Sequence, residues 1–295
     1  MSATGKPPAN AALPASAPAQ AAAVTVKPGF WAGRTATILL QVLTGVAILG
    51  AWQLAANTNL VSRVLLGDPA GIIKKMVDML GGERIYSRTL YDHLAATLRV
   101  IFIGYAVGAV SAILLGFVFG RSRPLRRVFE PLILAVASVP KIAIAPLIVI
   151  VLGIGEVSRI SIVFIEVFFI VFFNTIQGVY AVDEEYVNIA RIMGASRLQT
   201  WRRVVLPAAV PDILLGLRLG VPFAMTGAVL GEFIASNMGI GWLILYSGAV
   251  LDASSLWAGL VFLVATTWVL SLVIGAVEQR LLRWQPQRRE GPMQV

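Results

Sequence analysis

The sequence predicts an all-α, polytopic membrane protein with about six transmembrane helices. Of its 295 residues, 58% are hydrophobic and only 13% charged, where a soluble chain carries about a quarter charged. The mean hydropathy is +0.82. The apolar residues fall in blocks near 36–56, 94–119, 128–152, 158–179, 214–235 and 256–279. Each is close to the length of about 20 residues that a helix needs to cross a hydrocarbon layer about 30 Å thick.

Taken in order, residues 1–33, including ANAALPASAPAQAAA, read as a disordered Ala/Pro-rich cytoplasmic tail. Small residues precede the first apolar run there, the reverse of a secretory signal. The first block is TILLQVLTGVAILGAWQLAA. DPAGIIKKMVDML (68–80) predicts a short amphipathic helix on the outer membrane surface, with Asp68 as N-cap and Pro69 at its first position. The second block is long enough to tilt, and Gly104, Gly108, Ala112, Gly116 and Gly120 recur on it at every fourth position. Such a seam lets helices approach closely in lipid. Pro140 and Pro146 interrupt the third block, and each is expected to kink it. A GIGEVS turn then joins blocks three and four as an antiparallel hairpin. Block five repeats the small-residue device at Gly216, Gly220, Ala224 and Ala228. Residues 34–284 therefore form the transmembrane domain, and 285–295 a cytoplasmic C-terminal tail.

Positive charge orients the blocks, because Lys and Arg collect in cytoplasmic loops. The first tail holds Lys6, Lys27 and Arg34; the turn after block two holds Arg121, Arg123, Arg126 and Arg127; the connection after block four holds Arg191, Arg197, Arg202 and Arg203. The C-terminus carries Arg280, Arg283, Arg288 and Arg289, whereas 153–157 and 236–255 carry no positive charge. Both termini and the 180–206 connection are thereby expected in the cytoplasm.

The same residues exclude several function classes. A net charge of +9 would suggest nucleic acid in a soluble chain, but loop bias accounts for it here. There is no cysteine, and His93 is the only histidine. No thiol nucleophile exists, a histidine-based triad or metal cluster lacks supporting residues, and neither catalytic nor metal-ligating residues are assigned.

The most informative stretch is 183–212, DEEYVNIARIMGASRLQTWRRVVLPAAVPD. Acidic residues open it, where a helix dipole favours negative charge. A helical pattern runs to Gly194, a residue suited to a left-handed helix end. A second, Arg-rich helix follows and is expected to stop before Pro207. A connection this long and this specifically punctuated is built for docking.

This stretch resembles the cytoplasmic EAA loop of permeases of binding-protein-dependent ATP-binding-cassette (ABC) importers. Ala190 takes the second alanine place, Gly194 the glycine, Val204 the aliphatic, and Leu206-Pro207 the close; Asn188 stands where the family has Glu, and Ile189 where it has the first Ala. The likeness extends over roughly 64–284, through DPAGIIKKM, HLAATLRVIFIGYAVG, FGRSRPLRRVFEPLI and PKIAIAPLIVIVLGIGEVSRI, and is nearest the sulfonate, nitrate and taurine branch. It implies a type I importer-like permease in a bacterial cytoplasmic (inner) membrane. Its implied partners are cytosolic ABC ATPase subunits, an extracytoplasmic solute-binding protein, membrane lipid and a second permease copy, as a homodimer. By the resemblance, Glu184, Glu185, Asn188, Ala190, Arg191, Gly194, Ala195, Leu206 and Pro207 are the ATPase-coupling residues. The chain has no phosphate-cradling G-x-x-x-x-G-K-[ST] sequence, so ATP and Mg belong to the partner, and this chain carries no cofactor. Sulfonates, taurine, nitrate, bicarbonate and heterocyclic vitamin precursors are the solutes the branch implies.

Ionisable groups in spans cost about 2.5–3.5 kcal/mol each, so each invites a functional reading. Lys141 and Glu166 lie at similar depths on neighbouring antiparallel blocks and are expected to pair. Arg218, Pro222, Met225, Val229 and Glu232 share one face of block five, a candidate lining for a water-filled path, joined by Asn174 and Thr226. A net positive lumen from Lys141 and Arg218 would suit an anion. The rival readings are an ion-gradient-driven secondary transporter, which should show inverted repeats with broken helices, and a membrane enzyme, which needs a convergent cluster at one face.

Overall fold

The computed structural model describes residues 34–58 and 62–283. The tails expected at 1–33 and 285–295 lie outside the described residues. The chain divides at Gly50 into two compact units. In the first, the start of α1 (Arg34–Asn57) is a helix whose sequence is apolar around its whole circumference, as lipid requires.

The second unit begins with the end of α1 and the single turn α2 (Arg63–Leu66). In α3 (Pro69–Leu80) the Asp68 carboxylate accepts from the Gly71 N–H at 3.0 Å, the expected cap, and Ile72 and Met79 are buried. α4 (Leu90–Arg121) opens with a reciprocal Thr89–Asp92 capping box. Its 32 residues span about 48 Å. α5 (Arg123–Ala137) and α6 (Lys141–Leu152) follow, then α7 (Glu156–Tyr180), α8 (Glu184–Ile192), α9 (Arg197–Thr200), α10 (Leu206–Ala235), α11 (Ile240–Ala249) and α12 (Ala253–Leu281). Among the described residues, five helices are long and apolar enough to cross a membrane, or six if α5 and α6 count as one bent span.

Three expectations are corrected. The third block is not a kinked helix: α5 and α6 meet at 87°. Pro140 can donate no hydrogen bond and biases Val139 away from the helical region, so α5 ends and a new helix starts at Lys141. Pro146, by contrast, lies inside α6 without ending it. Second, the Arg-rich helix does not stop before Pro207. A π-helical turn, Trp201–Val205, links α9 to α10, and the Leu206 N–H donates to the Trp201 carbonyl. A proline ring clashes with the carbonyl four residues back, and the wider turn makes room for it, leaving one helical run from Arg197 to Ala235. Third, 236–255, read from the sequence only as a connection without positive charge, contains α11, ten residues too short to span, with Ile240, Gly241, Leu243, Ile244 and Ser247 buried.

α7 is the centre of the unit, with α4 on one side and α10 on the other. The small-residue seams face it. A methyl group added at Gly104 would lie 2.6 Å from Val163 Cβ, and at Gly116 2.7 Å from Thr175 Cβ; on α10, one at Gly216 would lie 2.8 Å from Asn174 Cβ. Val100, Val163, Val167, Phe172, Ala224 and Ala228 form the shared core.

Just before α4 the Ile85–Arg88 bridge turns Tyr86 onto Tyr246, ring centroids 4.6 Å apart, and the Tyr86 hydroxyl donates to Asp252 at 3.0 Å. Burial pushes the Tyr86 phenol up. Burial also opposes ionisation of Asp252, but hydrogen bonds from Ser255 and Tyr86 outweigh it and hold that carboxyl below its ordinary range.

Candidate functional site

The 183–207 connection is two helical arms around one glycine. Asp183 caps the first arm by accepting from the Glu185 N–H at 3.0 Å, with Glu184 and Glu185 in the first turn. The far end closes as a Schellman motif: the Gly194 N–H reaches the Arg191 carbonyl at 2.9 Å, and the Ala195 N–H reaches back to Ala190 at 3.0 Å. Gly194 has φ +81°, a conformation that costs an L-residue about 1–2 kcal/mol. Ala190 and Ala195 are thus the two ends of the closing hydrogen bond. Ser196 and Gln199 then form a capping box that starts the second arm. Leu206 and Pro207 sit in the first turn of α10.

Because α9, the π turn and α10 are continuous, a force on the second arm is transmitted to a membrane helix. Val205, Ala209 and Ile213 seat that helix against Val179, and Trp201 packs edge-on against Phe117 at 5.8 Å. Between the first arm and the foot of α7 lies an open groove of about 900 Å³, with Asp183, Asn188, Arg191 and Arg197 on its walls. No residue of α8 is buried. At the hinge, Ile192 is 85% and Met193 82% exposed, and Leu198 follows at 69%. Sequence reasoning missed these three; their signal was apolar side chains crowded beside the glycine of an otherwise polar loop.

In the membrane region the structure brings Lys141 to Glu166, Nζ to Oε2 3.6 Å, and places the ammonium 5.8 Å from the Phe223 ring centroid. Glu166, Ile170, Asn174 and Gln177 follow one edge of α7, and exposure grows along it from the buried Glu166 to the exposed Gln177. Phe223 and Thr226 are exposed on α10. The Asn174 amide donates to Ile170 and the Thr226 hydroxyl to Pro222, each within its own helix. Lys141→Met would leave a nearly buried carboxylate without its cation, at an expected cost of about 3 kcal/mol. Thermal unfolding of the purified protein checks this: the single variant should melt well below wild type, and Lys141→Met with Glu166→Met should recover most of the loss.

The face expected from Arg218 to Glu232 is not one lining. Arg218 pairs with Glu278 of α12 at 3.3 Å. Met225 is buried, and Glu232 has no exposure at all. Glu232 instead holds the start of α11: its Oε2 accepts from the Gly241 N–H at 2.7 Å, and its Oε1 accepts from the Thr97 hydroxyl at 2.7 Å. Thr97 in turn accepts from the Ile240 N–H at 2.9 Å, and His93 Nδ1 from the Gly239 N–H at 3.1 Å. Arg159 donates to Ser236 at 3.0 Å, tying α7 to the same turn. The sole histidine is therefore part of a helix anchor, stacked on Trp242 at 5.7 Å. Sequence reasoning placed Glu232 on a path because it shares one helical face with Arg218; the α11 turn that covers it comes from residues 239–241.

Residues 104–284 match the family described as the binding-protein-dependent transport system inner membrane component. The chain is 31% identical over 247 residues to the taurine transport system permease protein of Escherichia coli (strain K12), covering 84% of this chain and 90% of that one. It is 28% identical over 243 residues to a Bacillus subtilis (strain 168) permease protein named for aliphatic sulfonates transport, covering 82% and 86%. Its fold resembles a chain of the inward-facing MetNI methionine ABC transporter with a TM-score of 0.58 at 19% identity, over 65% of this chain and 95% of that one. With more than half of its length inside that family and the same helical architecture around it, the chain belongs to the inner-membrane components of binding-protein-dependent transport systems, and is a multi-pass permease subunit that forms the translocation part of an ABC importer for a small solute.

Proposed function

We propose that this permease couples to separate cytosolic ATPase subunits through residues 181–207, with both termini on the cytoplasmic side. One observation carries the reading: the Schellman hinge presents Ile192 and Met193 almost fully to the outside of a polar loop, beside a second arm that runs without a break into α10. Exposed apolar side chains on a rigid mount fit a protein partner's pocket. The first arm ends on Ala190, Arg191 and Gly194, and Leu206-Pro207 begins the membrane helix that the arms would move. Glu184, Glu185 and Asn188 lie on that first arm beside the groove, where Asn188 meets the partner without a charge. ATP and Mg are bound by that partner, whose closure draws the arms and biases the path between two states.

The polar edge of α7 with Phe223 and Thr226 of α10 lines the path, completed by a second copy of this chain. A binding protein delivers solute to the outer end. The relatives named for taurine and aliphatic sulfonates support a small sulfonate-type solute. Arg218, paired with Glu278, and Glu232, buried in the anchor, act structurally in this reading.

Gly194→Val tests it. The side chain has open space, so only the backbone strain of about 1–2 kcal/mol acts, and it acts on the hinge. The variant should insert and fold, yet transport by the reconstituted complex should fall by about tenfold or more, since 1.4 kcal/mol is tenfold. Full-rate transport with normal ATPase retention would overturn the coupling assignment.

A further inference from the structure

We propose that the Lys141–Glu166 pair is a binding station for a zwitterion, with Lys141 taking the solute's acidic group and Glu166 its ammonium. This rests on the reading that the α7 edge lines the path. Two observations separate it from a simple anion site. Among the described residues, both basic side chains that the sequence placed in a positive lumen are paired with a carboxylate, Lys141 with Glu166 and Arg218 with Glu278. The positive lumen expected from the sequence is therefore cancelled side chain by side chain. Second, at a Nζ–Oε2 separation of 3.6 Å the two heads form an ion pair, and neither the three donors of the ammonium nor the two acceptor oxygens of the carboxylate are used up by it. Each head thus retains directional bonding capacity toward a third group.

The location suits a ligand. Glu166 stands at the buried head of an edge that opens stepwise through Asn174 to Gln177. The Phe223 face steadies the ammonium of Lys141. An anion alone, drawn to Lys141, would strip Glu166 of its counter-charge and leave a buried carboxylate uncompensated. A cation alone would do the same to Lys141. A molecule bearing both charges replaces each partner as it displaces it, so it enters without that penalty.

The test uses the absence of cysteine from this chain. Thr226→Cys sits three residues along α10 from Phe223, whose ring the Lys141 ammonium faces, and adjoins Gly227, where an added methyl would lie 3.1 Å from Glu166 Cγ; Asn174→Cys sits eight residues along α7 from Glu166. Each variant, in complex with its ATPase in nanodiscs, is exposed to a hydrophilic thiol reagent, and labelling is read on the permease band. Both thiols should react. If neither does, the path reading falls and the station with it. For Thr226→Cys, taurine at ten times its half-effective concentration should slow labelling about tenfold. Ethanesulfonate, which lacks the ammonium, and ethylamine, which lacks the acid, should leave the rate unchanged. Reaction without protection by taurine would overturn the station while leaving the path intact. Equal protection by ethanesulfonate would make it an anion site and also overturn the proposal. Glu166→Gln, which keeps size and hydrogen bonding, should abolish protection by taurine; retained protection would remove Glu166 from the site.

Discussion

Replacing Ile192 and Met193 together by aspartate is expected to abolish ATPase association and, with it, transport. Both side chains are more than four-fifths exposed in the subunit, so their loss removes no internal packing, and insertion and thermal stability should match wild type. A buried interface anchor is worth about 2 kcal/mol or more. Two such anchors replaced by charges should lower affinity by roughly a thousandfold at 1.4 kcal/mol per decade. Co-purification of the ATPase and solute uptake in proteoliposomes are the measurements. Wild-type recovery of the ATPase by the double variant would mean that docking lies elsewhere, and Arg191 with the groove wall would be the next surface to change.

Gly239→Ala should produce the largest loss of stability. Gly239 has φ +118°, outside the range an L-residue adopts comfortably, and an added methyl would overlap the Glu232 carboxyl group. Glu232 cannot swing away, because Thr97 and the Gly241 N–H hold its two oxygens and no solvent reaches it. The start of α11 should unseat, exposing Ile240 and Leu243. Strain, lost capping and opened packing together should cost about 4 kcal/mol or more. The check is folded yield and melting temperature in detergent. Glu232→Gln, which keeps the shape and one acceptor, should cost only about 1–2 kcal/mol. Equal melting of Gly239→Ala and wild type would remove the anchor from the account.

Much of the site's local architecture was legible in the sequence. Asp68 as a cap, the helix running from Asp183, the hinge at Gly194 and the small-residue seams all depend on neighbours within one or two turns. Backbone donors left open at a helix end demand a nearby oxygen, and a left-handed residue demands glycine. Pro140 and Pro207 were read with the wrong weights. Proline's effect depends on whether the chain can widen or restart around it, and packing decides that: Val205 and Ala209 against Val179 hold the helix together across Pro207, whereas between Ser138 and Lys141 the chain turns through 87°.

By itself the sequence determined the membrane class, the approximate number of spans and the two-armed loop of 183–207, because bilayer thickness and helix capping act over short stretches of chain. Only the tertiary structure decided what Glu232, His93 and Arg218 do. Their partners lie 9 to 146 residues away in sequence, at Gly241, Gly239 and Glu278. A charge in a span is costly wherever it goes, and its composition is the same whether it lines water or caps a buried helix. The distinction rests on which backbone donors fold into reach, and no local pattern encodes that.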